Sequence, residues 1–264
     1  MMDTKLNSEL PLKPSRLSFY LLLLALFVIV FVSALYIEAD PLTFVQNSSN
    51  MLDLIARMLP PDWSYIVTTT PAMLDTIRMA LLGTTMGMIF SIPVMFLCAR
   101  NVFKSKWLVE TSRIALNILR TIPDLLLAAI FAAILGFSPL AGIVALSIFS
   151  IGIIAKLSFE AIENIDNGPL ESMDAVGANK LQWIAFGVVP QVLPHFVSYV
   201  LYTFEINIRA AAILGLVGAG GIGLFYNRAL GFFAYDQVLA LILYTLIVVI
   251  IIDLISLKIR EKLL

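Results

Sequence analysis

The sequence predicts an all-α integral membrane protein with six transmembrane helices. Three observations carry this expectation. Of 264 residues, 60% are hydrophobic and only 13% are charged, against about 25% charged residues in a soluble domain. Apolar runs of about 20 residues, enough to cross a bilayer as helix, recur along the chain. Lys and Arg gather in alternate loops between those runs, the pattern that orients a multi-pass protein. The formal net charge of −1 excludes a broadly cationic nucleic-acid binder. A single cysteine, Cys98, cannot form an internal disulfide, and a single histidine, His195, cannot build a histidine metal site. His195 follows Pro194 and precedes an apolar run, so it reads as an interfacial residue rather than a ligand.

In chain order, residues 1–18 form a cytoplasmic N-terminus carrying Lys5, Lys13 and Arg16, and 19–37 form the first span. That run is longer than a signal-peptide core and lacks a small-x-small cleavage site, so it is expected to be retained. Residues 38–77 are polar enough to be an external segment. Within it, residues 50–59 make a short amphipathic helix ending at Pro60-Pro61, expected to lie along the membrane surface. The second span covers 78–98, with Gly83 and Gly87 spaced for close helix packing. The third covers 114–135, and a tight turn from Gly136 to Pro139 leads into the fourth, 140–159. The fifth span is 196–217, and the sixth is 238–257. A glycine-rich loop, 218–223, and a polar patch, 227–236, connect them, and 258–264 form the C-terminus.

Orientation follows from charge. The N-terminus, the 100–113 loop, the 160–194 loop and the C-terminus hold Lys5, Lys13, Arg16, Arg100, Lys104, Lys106, Arg113, Lys180, Lys258, Arg260 and Lys262. The opposite loops hold Arg57 and Arg228. Both termini and the 160–194 loop are therefore expected in the cytoplasm.

That loop is the most polar long segment of the C-terminal half, and it reads as two short helices joined at a glycine. Pro169 suits the first helical position. Glu171 then falls at the third, beside the unpaired amides and positive end of the helix. Gly177 suits a left-handed cap, and Asn179 with Gln182 forms a second capping pair. Leu181, Ile184, Ala185 and Val188 follow at helical spacing, with Trp183 and Phe186 on another side. Pro190 and Pro194 are expected to close the unit.

The order Glu171, Gly177, Pro190 resembles the EAA loop of ABC-importer permeases, the helix pair that docks into an ATP-binding subunit. Ser172 and Met173 stand where alanines are usual, and Gly187 and Val189 where Ile and Leu are usual. The resemblance assigns ATPase coupling to Glu171, Ala175, Gly177, Asn179, Trp183 and Pro190. A cytoplasmic position is what such docking requires.

Polar residues inside spans are costly, and each is a candidate for function. Arg120, Thr121, Pro123 and Asp124 interrupt the third span, and Glu205, Asn207 and Arg209 the fifth; Asp253 lies late in the sixth. Glu205 and Arg209, at i and i+4 with the acid first, can pair on one helix face. Either that pair neutralises itself in the bundle, or these side chains line a water-filled path in which arginine meets an anionic solute. Asp253 reads as a snorkelling or interfacial group.

Gly218-Ala-Gly-Gly-Ile-Gly223 matches the dinucleotide fingerprint literally. The fingerprint needs a strand before it and a βαβ unit around it, whereas a transmembrane helix precedes it here. It reads instead as a flexible external turn whose glycines allow close backbone approach.

Leu59-Pro-Pro-Asp-Trp63, Asp75-Thr-Ile-Arg-Met-Ala-Leu-Leu-Gly-Thr84, Arg120-Thr-Ile-Pro-Asp124 and the block from Phe204 to Gly223 occur in that order. Together they resemble phosphonate ABC-transporter permeases from about residue 59 onward. The Gly-Ala-Gly-Gly block is shared with methionine-type permeases and marks the wider superfamily. The resemblance implies a type I ABC importer (MetI-like) permease fold over 78–257, with the loop 160–194 as its coupling loop. It implies a bacterial plasma-membrane location, a second permease copy, an extracytoplasmic solute-binding protein and a dimer of ATP-binding subunits. ATP is then bound by the partner, and this chain carries no cofactor and no catalytic site. Phosphonate, phosphite, a phosphate ester and a methionine-like solute are the substrates in view. An intramembrane enzyme would need a nucleophile–base set or metal ligands in the bilayer, and no H-E-x-x-H or G-x-S-x-G is present. A secondary transporter often shows an inverted repeat, and none is visible.

Overall fold

The computed structural model describes residues 16–37 and 41–262. Lys5 and Lys13, the start of the external segment at 38–40 and the last two residues lie outside the described residues. The chain divides into two units at Ala56/Arg57. In the first, α1 (Leu17–Tyr36) is apolar on all sides, and its 20 residues rise about 30 Å, one bilayer core. Two short helices follow, α2 (Pro41–Gln46) and α3 (Ser48–Met58). Helix α3 places Met51, Leu52, Leu54 and Ile55 among Ser48, Asn50, Asp53 and Arg57, close to the amphipathic helix expected at 50–59.

The second unit is a helical bundle. Helix α4 (Ser64–Cys98) is a single helix of 35 residues, so it begins far ahead of the 78–98 span expected from hydropathy. Asp62 starts it by accepting the Ser64 backbone N–H at 3.0 Å. Hydrogen bonding from the Ser64 hydroxyl holds this carboxyl below its ordinary range. The buried stripe Thr69, Met73, Thr76, Ala80, Gly83, Gly87, Ser91, Met95 and Cys98 repeats every three or four residues, one face of a helix. That face meets α7 (Pro139–Glu163). A Cβ on Gly83 would lie 2.6 Å from Leu146 Cβ, and one on Gly87 would lie 2.3 Å from Ser150 Cβ. The two glycines let the helices touch backbone to backbone, as their spacing predicts. Two buried hydroxyls in this seam donate to their own helix, Thr84 to Ala80 O at 2.7 Å and Ser150 to Leu146 O at 2.6 Å, which satisfies those donors inside the bilayer.

The third span is not continuous. Helices α5 (Lys106–Thr121) and α6 (Asp124–Leu135) meet at 83°. Pro123 explains the break: it lacks an N–H and forces Ile122 out of the helical region, to φ −80°, ψ 121°. Counting this bent pair as one span, six stretches of the described residues can cross a membrane, and otherwise five.

The 160–194 region contains α8 (Asn167–Ala175), α9 (Lys180–Gln182) and a π-helical turn, Trp183–Val188, that runs directly into α10 (Val189–Leu214). Pro190 and Pro194 therefore do not close the unit; both lie within α10. The widened turn, with the Val189 N–H donating to Ile184 O, is the kind of local adjustment that carries a helix into a proline. A 3₁₀ turn, Gly215–Val217, leads to α11 (Gly223–Gly231), and α12 (Tyr235–Glu261) returns across the bundle. The glycine-rich loop is packed rather than a free external turn. Ala219 and Ile222 are fully buried, and the Ile222 N–H donates to Thr76 Oγ1 at 2.8 Å. Gly221 has φ +67°, and a Cβ there would lie 2.5 Å from that same Oγ1, so only glycine fits.

Candidate functional site: the coupling loop and an intramembrane polar layer

The loop begins at Asp166, whose side chain caps α8 by accepting the Gly168 N–H at 3.1 Å. Because α8 starts at Asn167, Pro169 is not its first residue and Glu171 is not in its first turn. The sequence placed the start two residues late, giving Pro169 the first position that Asn167 occupies. Glu171 is exposed and without a partner among the described residues. Gly177 takes φ +71°, and the Ala178 N–H donates to Met173 O at 3.0 Å, the left-handed cap that the sequence predicts. Asn179 and Gln182 form the expected capping box, with both hydrogen bonds at 3.0 Å.

Trp183, Gly187 and Val188 are the buried residues of the second arm, with Ile184 partly buried, while Leu181 and Ala185 of the expected stripe are exposed. Wide π winding shifts which residues face inward. Leu170 of α8 rests on Gly187, where a Cβ would lie 3.0 Å from Leu170 Cδ2, and Lys180 Nζ stands 4.0 Å from the Trp183 ring centroid. With that face packed, Ala175 is exposed, and Val176, Leu181 and Phe186 stand 74%, 79% and 68% exposed. Pro190 is exposed as well.

Gln191, which sequence reasoning missed, clamps the loop to the bundle. It accepts the Asp166 N–H at 3.1 Å and donates to Asp166 O at 3.3 Å and to Gly187 O at 2.8 Å. Glu163 ties the neighbouring ends of α4, α5 and α7: it accepts the Arg100 N–H at 2.8 Å and pairs with Arg113, which also donates to Cys98 O. Beside the loop, between α7 and α10, lies a groove of about 470 Å³ lined by Glu160, Asn164, Asp166, Gln191, His195 and Tyr199. His195 stacks on Tyr199 there, with ring centroids 6.4 Å apart.

A second cluster lies farther along the same helices. Asn207, fully buried, donates to Thr84 Oγ1 and to Ser150 Oγ, both at 2.7 Å, and so joins α10, α4 and α7. Its Oδ1 has no partner among the described residues. Glu205 and Arg209 do not pair with each other. Glu205, 7% exposed, binds Arg260 at 2.6 Å, and Arg209 reaches Asp253 at 3.3 Å. Two ion pairs thus stitch α10 to the antiparallel α12, and Asp253 is a partner rather than a snorkelling group. Arg260 escaped notice because it sits in the basic tail used to assign orientation.

Arg120 and Asp124 do not pair either. The bend separates them, and Asp124 instead accepts the Leu125 N–H at 2.8 Å. Arg120 is exposed and makes no ion pair or hydrogen bond among the described residues. No group of three His, Cys, Asp or Glu side chains among the described residues could hold a metal ion.

Residues 83–262 match the model of the family described as "Binding-protein-dependent transport system inner membrane component". The chain is 35% identical over 222 residues to the phosphite transport system permease protein PtxC of Stutzerimonas stutzeri, covering 84% of this chain and 81% of that one. It is also 35% identical to the phosphate-import permease protein PhnE of Mycolicibacterium smegmatis, over 88% of this chain and 44% of that longer protein. A putative cryptic phosphonate transport system permease protein, PhnE2 of Escherichia coli, is 44% identical over 44% of this chain and 96% of its own. Among solved structures, the inward-facing MetNI methionine ABC transporter superposes with TM-score 0.67 at 24% identity, covering 76% of this chain and 98% of that one. The fold is therefore the MetI-like type I permease fold, and the chain belongs to the family of binding-protein-dependent transport system inner membrane components.

Proposed function

We propose that this chain is the permease subunit of an ATP-driven importer that moves a phosphonate, or a related phosphorus oxyanion such as phosphite or a phosphate ester, across the bacterial plasma membrane. The names of relatives at 35–44% identity support the substrate class. The observation that carries the mechanism is the shape of the coupling loop. Two short arms joined at Gly177 present Val176, Leu181, Phe186 and the unpaired Glu171 outward, while Gln191 clamps the arms to α10. Exposed apolar side chains around an acid suit a protein partner. The partner is an ATP-binding subunit dimer, which binds the nucleotide.

Two copies of this permease, or this chain with a second permease, line the path. Closure of the ATPases on ATP draws the two loops together and opens the path toward an extracytoplasmic solute-binding protein; hydrolysis returns it inward. Both termini are cytoplasmic, following the Lys and Arg distribution. Arg120 meets the anion in transit, since an unpaired arginine in a span needs water or a counter-charge to offset about 2.5–3.5 kcal/mol. Glu205, Asn207 and Arg209 shape the same layer by holding the helices, and Asp124 stands in the first turn of α6. The test is uptake of methylphosphonate by membrane vesicles holding this chain with its ATPase and loaded binding protein. Arg120→Gln should lose uptake at normal assembly, and unchanged uptake would remove arginine from the path.

A further inference from the structure

Gly83 and Gly87 let α4 approach the backbone of α7. Gly152 of α7 is different, because what lies against it is a charged side chain. A Cβ on Gly152 would stand 2.8 Å from Cγ and 3.7 Å from Cδ of Arg120, and 3.3 Å from Leu119 Cδ2. The aliphatic stem of Arg120 thus crosses the bare backbone of α7, while its guanidinium continues outward without a partner among the described residues. Long cationic side chains commonly bury the stem and free the head. Here the helix carrying the stem ends one residue later, at Thr121, and the chain turns away by 83°. Helix α5 therefore offers no following turn to brace the side chain, and α7 supplies the support instead. Gly152 is itself buried, two residues beyond Ser150, which is bonded to Asn207.

We infer that Gly152 is a positioning residue for transport: its missing side chain forms the seat that aims the Arg120 guanidinium into the anion path. The inference rests on the reading of Arg120 as the group that meets the anion. An added methyl at Gly152 must displace the stem, and with it the charge, because Cγ is close to the backbone and cannot swing aside as a chain end could.

The experiment is a double-mutant cycle in the assembled transporter, with Gly152→Ala, Arg120→Ala and the double variant. It reads methylphosphonate uptake per complex and the melting temperature of the purified complex. Gly152→Ala alone should lower the maximal uptake rate roughly tenfold to a hundredfold, as small misplacements of a working group do, with normal assembly and an unchanged half-saturating concentration of loaded binding protein. Placed on Arg120→Ala, which removes Cγ and the charge together, it should change neither uptake nor melting temperature further. Loss of uptake or of melting temperature to the same degree in both backgrounds would make Gly152 a helix-packing residue and overturn the inference. Full uptake by Arg120→Ala would overturn the anion-path reading as well, so the two failures are distinguishable. If Arg120→Ala leaves no measurable uptake, the melting-temperature cycle together with the Gly152→Ala rate still decides.

Discussion

Glu205 in the middle of α10 is held by Arg260 near the end of α12, 2.6 Å away, and not by Arg209 one turn along its own helix. The acid is 7% exposed, and that guanidinium is its hydrogen-bonded partner. Arg260→Gln should therefore destabilise the complex by about 3 kcal/mol, the scale of a stranded buried charge, and Glu205→Gln added to it should recover much of the loss. Arg209→Gln should cost less than Arg260→Gln, because its pair with Asp253 is longer, 3.3 Å, and its side chains are 49% and 38% exposed against 24% and 9%. Thermal melting of the purified complex checks both; equal losses at Arg209 and Arg260 would contradict the pairing.

A contrast is expected along the α4–α7 seam. Asn207→Leu should cost only about 1 kcal/mol, since Thr84 and Ser150 keep their own donor bonds to Ala80 and Leu146. Gly87→Val should prevent assembly, because its Cβ would meet Ser150 Cβ at 2.3 Å and Ser147 O at 2.9 Å. Membrane levels and detergent-stable assembly measure the difference; a folded Gly87→Val complex would mean the helices are not in backbone contact.

Much of this arrangement could be read from the sequence. A bilayer demands long apolar runs, so the spans show plainly, and local chemistry showed Gly177, the Asn179–Gln182 box and the close approach at Gly83 and Gly87. Arg260 could not be matched to Glu205, because periodicity along one helix says nothing of which helix stands beside it. Local spacing suggested Arg209 instead. Pro123 marks an interruption of the third span in the sequence, but only the structure shows that it turns the chain through 83° and leaves Arg120 without Asp124. Pro190 misled in the opposite sense, since a π turn carries the helix through it. Gln191 and Gly152 carry no motif, and only the packing around them shows what each holds.

Reporter fusions should place residues near 105, 175 and 262 in the cytoplasm and those near 50 and 228 outside. An external signal at 175 would separate the coupling loop from any ATPase and end the importer reading.

Gln191→Leu removes the bonds that tie Asp166 and Gly187 to α10. It should leave membrane insertion unchanged and loosen the loop, lowering transport several-fold while ATPase binding is only weakened. Phe186→Ser should instead weaken ATPase binding directly, because that side chain is 68% exposed and supports nothing in the bundle. Pull-down of the ATPase beside uptake separates these effects; full binding by Phe186→Ser would move the docking surface elsewhere.

The central claim is that this loop couples a phosphorus-oxyanion path to ATP hydrolysis in a partner, and Gly177→Val tests it most directly. At φ +71° a β-branched residue is strained and the two arms must tilt. Membrane vesicles with the ATPase and loaded binding protein should accumulate methylphosphonate only with ATP. The Gly177→Val complex should insert normally yet lose both ATPase association and uptake. Uptake that persists without ATP, or survives Gly177→Val undiminished, would contradict the account.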